Sequence, residues 1–202
     1  VTNLVINYYH KKMMEIKSSL IFKKIRPSNK NMSNSNEMTV IASKGTLDWA
    51  YPPFILASTG IAMGKEVTVF CTFYGLNLLL KDLSHLRISP QGNPDMPMKM
   101  PFGPKWFQAI DFGPKIPNIF WNIPGMELFA TRMMLRTFKN NGMASIEELR
   151  SICVEMGVKF IACEMTMGMF GFSRDDFIEG IEFAGAATYL DVADKSSQDL
   201  FI

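Results

Sequence analysis

A chain of 202 residues, 48% of them hydrophobic, has enough apolar material for one compact domain with extensions. Its 21 basic and 19 acidic residues leave a formal net charge of +2, too balanced for a phosphate-backbone partner, so no nucleic acid is expected. Cys71, Cys153 and Cys163 form no even disulfide framework, and with no signal-peptide pattern at the start of the sequence they point to a reducing cytoplasm.

Residues 1–37 read as an N-terminal extension and linker. Leu4, Val5, Ile6, Tyr8 and Tyr9 are too few to span a membrane, though a short amphipathic docking helix would fit them, and the polar stretch 26–37 has linker composition. From residue 38 the pattern turns α/β. Residues 38–43 form a short apolar strand, and Thr46 or Asp48 then caps a helix running to Gly64 despite Pro52 and Pro53. Residues 66–71 make a second strand that ends in Cys71 and enters a helix-like stretch, 73–83. The segment 84–125 holds most of the prolines, which forbid a regular helix or central strand through most of its length. Yet Met96, Met98, Phe102, Trp106 and Trp121 make it too apolar for a solvated linker, so it is expected to contact another copy of the chain or to cover the thiol site. Residues 126–139 are helical and stop at Asn141-Gly142. Ser145-Ile-Glu-Glu148 has the form of a capping box opening a helix over 146–156, and 158–163 is a third strand. Ser173 is placed to cap 174–178, followed by a strand over 180–184, a helix over 185–193 and a terminal strand over 199–202. The alternation predicts a single α/β domain over 38–202, with a mostly parallel central sheet of about five strands flanked by helices and interrupted by the insertion 84–125.

In an open parallel sheet, sites form beyond the carboxyl ends of the strands, where Cys71 and Cys163 both fall. Cys153, inside the helix 146–156, reads as a small buried hydrophobe. Cys163 directly precedes the helix-like, Met-rich stretch 164–171, so the free N–H groups of a helix start lie beside its thiol and favour the thiolate. Glu164 works against this unless it points to solvent. Lys159 sits four residues earlier, at the other end of the strand. Cys71, within FCTFYGL, is either a strand end packed under Phe73 and Tyr74 or a second thiol facing the first. Met165, Met167, Met169 and Phe170 either wall the thiol site or pack the helix. Other chemistries lack their residues. Cys153 and Cys163 are too far apart for a zinc knuckle and His85 stands alone. Residues 43–46 lack a phosphate-loop pattern, and neither His10 nor His85 is placed to serve as a base for a triad.

The run VKFIACEMTMGMFG at 158–171, preceded by Cys153 and followed by GAATYL at 185–190 and a closing LFI, resembles the DsrE/DsrF/DsrH-like proteins. FCTFYGL at 70–76 resembles the additional early cysteine segment of their larger DsrE-like branch. The resemblance covers about residues 38–202. It implies a flavodoxin-like three-layer α/β domain, usually a homo-oligomer, that handles sulfane sulfur as a cysteine persulfide or thiosulfonate and needs no cofactor. It implies Cys163 as the carrier cysteine and Cys71 as the additional one. The implied partners are sulfur-donor and sulfur-acceptor proteins, such as small TusA-like carriers. Two readings from other classes stand beside it. One is a small-molecule or nucleotide-binding module with structural cysteines, suggested by the sheet and by Trp49, Tyr51, Tyr74 and Trp106. The other is a membrane-docking or scaffold protein that uses the apolar stretch between Met96 and Phe129.

Overall fold

The computed structural model describes residues 36–89, 99–111 and 123–202. Residues 1–35 of the expected extension and linker 1–37 and the insertion residues 90–98 and 112–122 lie outside the described residues, and Glu37, expected to end the linker, already opens the first strand. Five strands, β1 (Glu37–Ala42), β2 (Glu66–Cys71), β3 (Lys159–Cys163), β4 (Glu182–Ala184) and β5 (Gln198–Phe201), form one sheet in the order β4-β3-β2-β1-β5. Every pairing is parallel. The central strands read as near-continuous apolar runs (EMTVIA, EVTVFC, KFIAC), as strands buried on both faces must. The predicted α/β architecture with five parallel strands is borne out.

The helices are α1 (Leu47–Ala62), α2 (Lys105–Gln108), α3 (Met126–Asn140), α4 (Ile146–Glu155), α5 (Glu164–Phe170) and α6 (Ala186–Ala193). Side chains alternate between sheet faces, so the register decides which residues share a side. Val69 lies abreast of Phe160, and Cys71 abreast of Ala162; these four face α1 and α4 in the main core. Phe54 on α1 meets Phe160 edge-on, with ring centroids 6.0 Å apart. α3 covers α1 from outside, with Phe138 edge-on to Tyr51 at 4.9 Å. The intervening residues, Phe70, Ile161 and Cys163, turn to the second face and meet Tyr189 of α6. The Tyr189 ring stacks on Phe70 at 4.9 Å, and its hydroxyl lies 3.3 Å from the hydroxyl of buried Thr39.

The expected capping box is formed: the Ser145 hydroxyl accepts from Glu148 N–H at 3.2 Å and the Glu148 carboxylate accepts from Ser145 N–H at 3.0 Å. Two expected helices are shorter and tighter. The stretch 73–83 forms a 3-10 helix only over Phe73–Leu79, after which Leu80 turns extended. Its end is fixed from outside: buried Arg150 of α4 donates to the carbonyls of Leu78 (3.0 Å) and Leu80 (2.6 Å), so the turn cannot run on. The helix expected over 174–178 is a single 3-10 turn, Arg174–Asp176, because Ile178 N–H is drawn off to the Leu79 carbonyl at 3.0 Å. Of the described part of the insertion, Leu86 and Ile88 are buried in the main core, and the stretch at Pro101 and Phe102 lies along α3, where Asn140 donates to the Pro101 carbonyl at 3.1 Å and Arg136 sits over the Phe102 ring at 5.9 Å. That position is on the helical layer opposite the face lined by Cys163.

Cys153 is 0% exposed, and its thiol donates to the Phe54 carbonyl at 3.4 Å, so it ties α4 to α1. A serine there inherits the same acceptor. Cys153→Ser is therefore expected to cost about 1 kcal/mol, the low end for a buried hydroxyl, as measured by urea denaturation.

Candidate functional site

The site is built where β2 and β3 end. Cys163 is both the last residue of β3 and the residue immediately before α5, with φ −72° and ψ 109°. Counting from it as the N-cap, Met165 and Thr166 are the second and third helical residues, whose N–H groups point back at a capping side chain. Cys71 pairs with Ala162, so the next residue on that strand, Thr72, comes abreast of Cys163 and shares its face. The Thr72 and Thr166 hydroxyls lie 3.2 Å apart, and Phe73 N–H donates to the Thr166 hydroxyl at 3.4 Å.

The protonated thiol makes no formal capping hydrogen bond. Burial pushes the Cys163 pKa up. The Thr166 hydroxyl and N–H, the Thr72 hydroxyl and the Met165 N–H pull it down and together win, so the thiol lies below its ordinary value. The carboxylate of Glu164, expected to oppose the thiolate, is engaged by Arg174 at 2.6 Å on the surface. Lys159 stands at the far end of β3, as expected, paired with Glu66 at 3.8 Å.

The other two thiols are of a different kind. Cys71, 1% exposed, is pushed up to about 12 by burial. Cys153 is also pushed up to about 12 by burial, with a backbone hydrogen bond from Ser58 opposing it only in part. Cys71 and Cys163 are not brought together. The one-residue offset in register sends Cys71 to the face of α1 and α4, and Cys163 to the face of α6. Of the methionines expected to wall the site, Met167 is buried in the main core, whereas Met165 and Met169 are exposed. Exposed Tyr74 stacks on Phe170 at 5.5 Å, and with Phe73 these side chains make an apolar rim beside the thiol.

Thr72 and Thr166 were missed by sequence reasoning. Thr166 carried a usable signal, since it stands three residues after a strand-end cysteine, the spacing at which an N-cap side chain meets a backbone N–H. Thr72 carried none until the register was known.

The difference between the thiols has a sign that pH reveals. A thiol with a lowered folded pKa keeps its thiolate stabilisation above the unfolded value and loses it as pH falls through the folded one. Alkylation of native protein by iodoacetamide should therefore modify Cys163 with a midpoint below that of a free cysteine. Cys71 and Cys153 should stay unmodified at pH 8 until denaturant exposes them, which peptide mass mapping reads directly.

These features define a class: an α/β domain whose parallel sheet presents, at a strand's carboxyl end, one thiol set apart from the others by the donors around it. A sequence model of the DsrE/DsrF/DrsH-like family matches residues 34–201, and the chain belongs to that family. It is similar to the sulfur carrier protein DsrE2 of Allochromatium vinosum, being 48% identical over 166 residues that cover 82% of this chain and 98% of that protein. It is also similar to YrkE of Bacillus subtilis (strain 168), an uncharacterized protein, at 30% identity over 166 residues, 81% of this chain and 95% of that one. The crystal structure of the ychN protein from E. coli aligns with a TM-score of 0.42 at 9% identity, covering 82% of this chain and 99% of that chain. Among the described residues no helix is long and apolar enough to cross a membrane.

Proposed function

We propose that the chain is a sulfur carrier that holds sulfane sulfur on Cys163, as a persulfide or a thiosulfonate. The observation that carries this reading is position: Cys163 ends β3 directly before α5, where the helix-start N–H groups and neighbouring hydroxyls pull its thiol below the ordinary value, while burial pushes Cys71 and Cys153 up to about 12. The 48% identity to a protein named as a sulfur carrier supports it.

Loading is a displacement at sulfur. The Cys163 thiolate attacks the outer sulfur of a donor persulfide, the new S–S bond forms as the donor's S–S bond breaks, and the electron pair leaves on the donor's thiolate. Unloading reverses the roles, with an acceptor thiolate attacking the outer sulfur and Cys163 leaving as thiolate. No electrons are gained or lost overall, so no cofactor is called for. The donor bonds that favour the Cys163 thiolate serve both steps, as nucleophile and as leaving group.

The partners are proteins that deliver and take up sulfur, such as small TusA-like carriers, and the apolar rim of Phe73, Tyr74, Met165 and Met169 gives them a surface beside the thiol. A second copy of the chain is a further partner, favoured by the exposed Phe102, Trp106, Ile123, Phe129 and Leu135 on and near α3. The carrier domain spans 38–202, with 84–125 as its insertion, and its free thiols suit a reducing cytoplasm. Cys71 serves packing in this reading, because it faces the main core.

Incubation with thiosulfate, tetrathionate or polysulfide followed by intact mass measurement tests the proposal. Added sulfur mass localised to the Cys163 peptide is the expected result. An unchanged mass with all three reagents would overturn it.

A further inference from the structure

We propose that Thr166 and Thr72 are sulfur-positioning residues: a pair of hydroxyls, set by the backbone N–H of Phe73, that follows the negative charge from the bare Cys163 sulfur to the outer sulfur of its persulfide. The inference rests on the carrier reading above and assigns its chemistry to two residues beyond the cysteine.

The geometry begins with the backbone. Phe73 has φ +48°, and among the described residues it is the one non-glycine with positive φ. For an aromatic residue the left-handed region is strained, and such strain persists only where surrounding contacts enforce it. The kink turns the chain sharply after β2, and beside it Phe73 N–H donates to the Thr166 hydroxyl oxygen, 3.4 Å away. The ring itself is left half exposed at the rim. Phe73 N–H occupies one lone pair of the Thr166 oxygen, and Thr72 and Thr166 lie 3.2 Å apart, so one hydroxyl hydrogen bridges the pair and the other is left for the sulfur. A donor whose oxygen is itself hydrogen-bonded is polarised and donates more strongly.

Persulfide chemistry gives this pair a task that backbone groups cannot perform. Adding a sulfur moves the anionic atom outward by about 2 Å, the length of an S–S bond. The N–H groups of Met165 and Thr166 are fixed in the helix start and stay directed at the cysteine sulfur. Hydroxyl hydrogens rotate, so the free hydrogen of the Thr72–Thr166 pair can swing to the outer atom and follow its charge. Thr166 is 1% exposed, so its hydroxyl is not given over to water.

The test compares Thr166→Val, which keeps the shape and removes the hydroxyl, with Thr166→Ser, which restores it, and with Thr72→Val at a half-buried position. Two readouts are taken: the pH midpoint of iodoacetamide labelling at Cys163, and the half-life of the Cys163 persulfide after loading with polysulfide. Thr166→Val should raise the midpoint by about one unit, which cuts the thiolate fraction about tenfold at pH 7, and should shorten the persulfide half-life. Thr72→Val should move both readouts the same way by less, and Thr166→Ser should return both toward wild type. Valine variants that keep the wild-type midpoint, or a folded serine variant that fails to restore it, would overturn the proposal. If Thr166→Val does not fold, the serine variant and Thr72→Val decide it alone. The labelling arm needs no sulfur, so a wild type that takes up none would refute the carrier reading and still leave the hydroxyls tested.

Discussion

Cys163→Ser is expected to lose sulfur loading completely while the protein folds as stably as before, or slightly more so. The loss follows from chemistry. A serine hydroxyl is not ionised at neutral pH, among the described residues no histidine stands at the site to activate it, and oxygen forms no persulfide. The retained stability follows from position. Residue 163 is the N-cap of α5, and serine is among the preferred capping residues because its hydroxyl accepts from the second and third N–H groups, here Met165 and Thr166. The cysteine makes no formal cap bond, so the substitution adds one and is expected to gain up to about 1 kcal/mol. Intact mass after polysulfide treatment, together with a urea denaturation curve, measures both halves. A serine variant that still gains sulfur would remove Cys163 from the mechanism. A variant that fails to fold would show that the sulfur is needed for packing.

Gly75→Ala is expected to be strongly destabilising. A Cβ at residue 75 would lie 2.0 Å from the Ala42 carbonyl oxygen and 2.6 Å from its carbon, both backbone atoms at the end of β1. No rotamer change can relieve such a contact. The same seam is closed from the other side by Gly45, whose Cβ would meet the Tyr74 carbonyl oxygen at 2.1 Å. Across it run Thr72 N–H to the Ala42 carbonyl at 3.0 Å and Gly75 N–H to the Ser43 carbonyl at 3.2 Å. The methyl must push the 3-10 segment off the β1 end, at a cost of more than about 3 kcal/mol, the upper range for overpacking. Thr72 and Phe73 belong to the displaced stretch, so the labelling midpoint at Cys163 should also rise in whatever fraction stays folded. A Gly75→Ala protein within about 1 kcal/mol of wild type would show that the seam can open without penalty.

The strands were legible because a parallel sheet covered on both faces demands continuous apolar runs, and residues 66–71 and 158–163 supply them between glycine and polar breaks. The Ser145 capping box was legible because every atom it uses lies within four residues. The 3-10 segment was not, since its length is decided by Arg150, some seventy residues away in sequence and reaching over to the Leu78 and Leu80 carbonyls. The candidate site was half legible. Cys163 at a strand end before a helix could be read from local pattern, and so could the burial of Cys153. Whether Cys71 faces Cys163 could not, because period-two alternation fixes sides within a strand, and only the pairing of Cys71 with Ala162 relates one strand to the next.

In the carrier proposed above, that single-residue offset also protects sulfur held on Cys163. A persulfide carrier with a second thiolate in reach would discharge itself: the neighbour would attack the inner sulfur, close an internal disulfide and expel the outer sulfur as hydrosulfide. Here the sheet stands between Cys163 and Cys71, and Cys71 stays protonated to about pH 12. The loaded protein has no internal short circuit. Its sulfur can leave only when an outside thiolate comes to collect it, so the lifetime of the stored atom is set by encounter with a partner and not by the carrier's own chemistry.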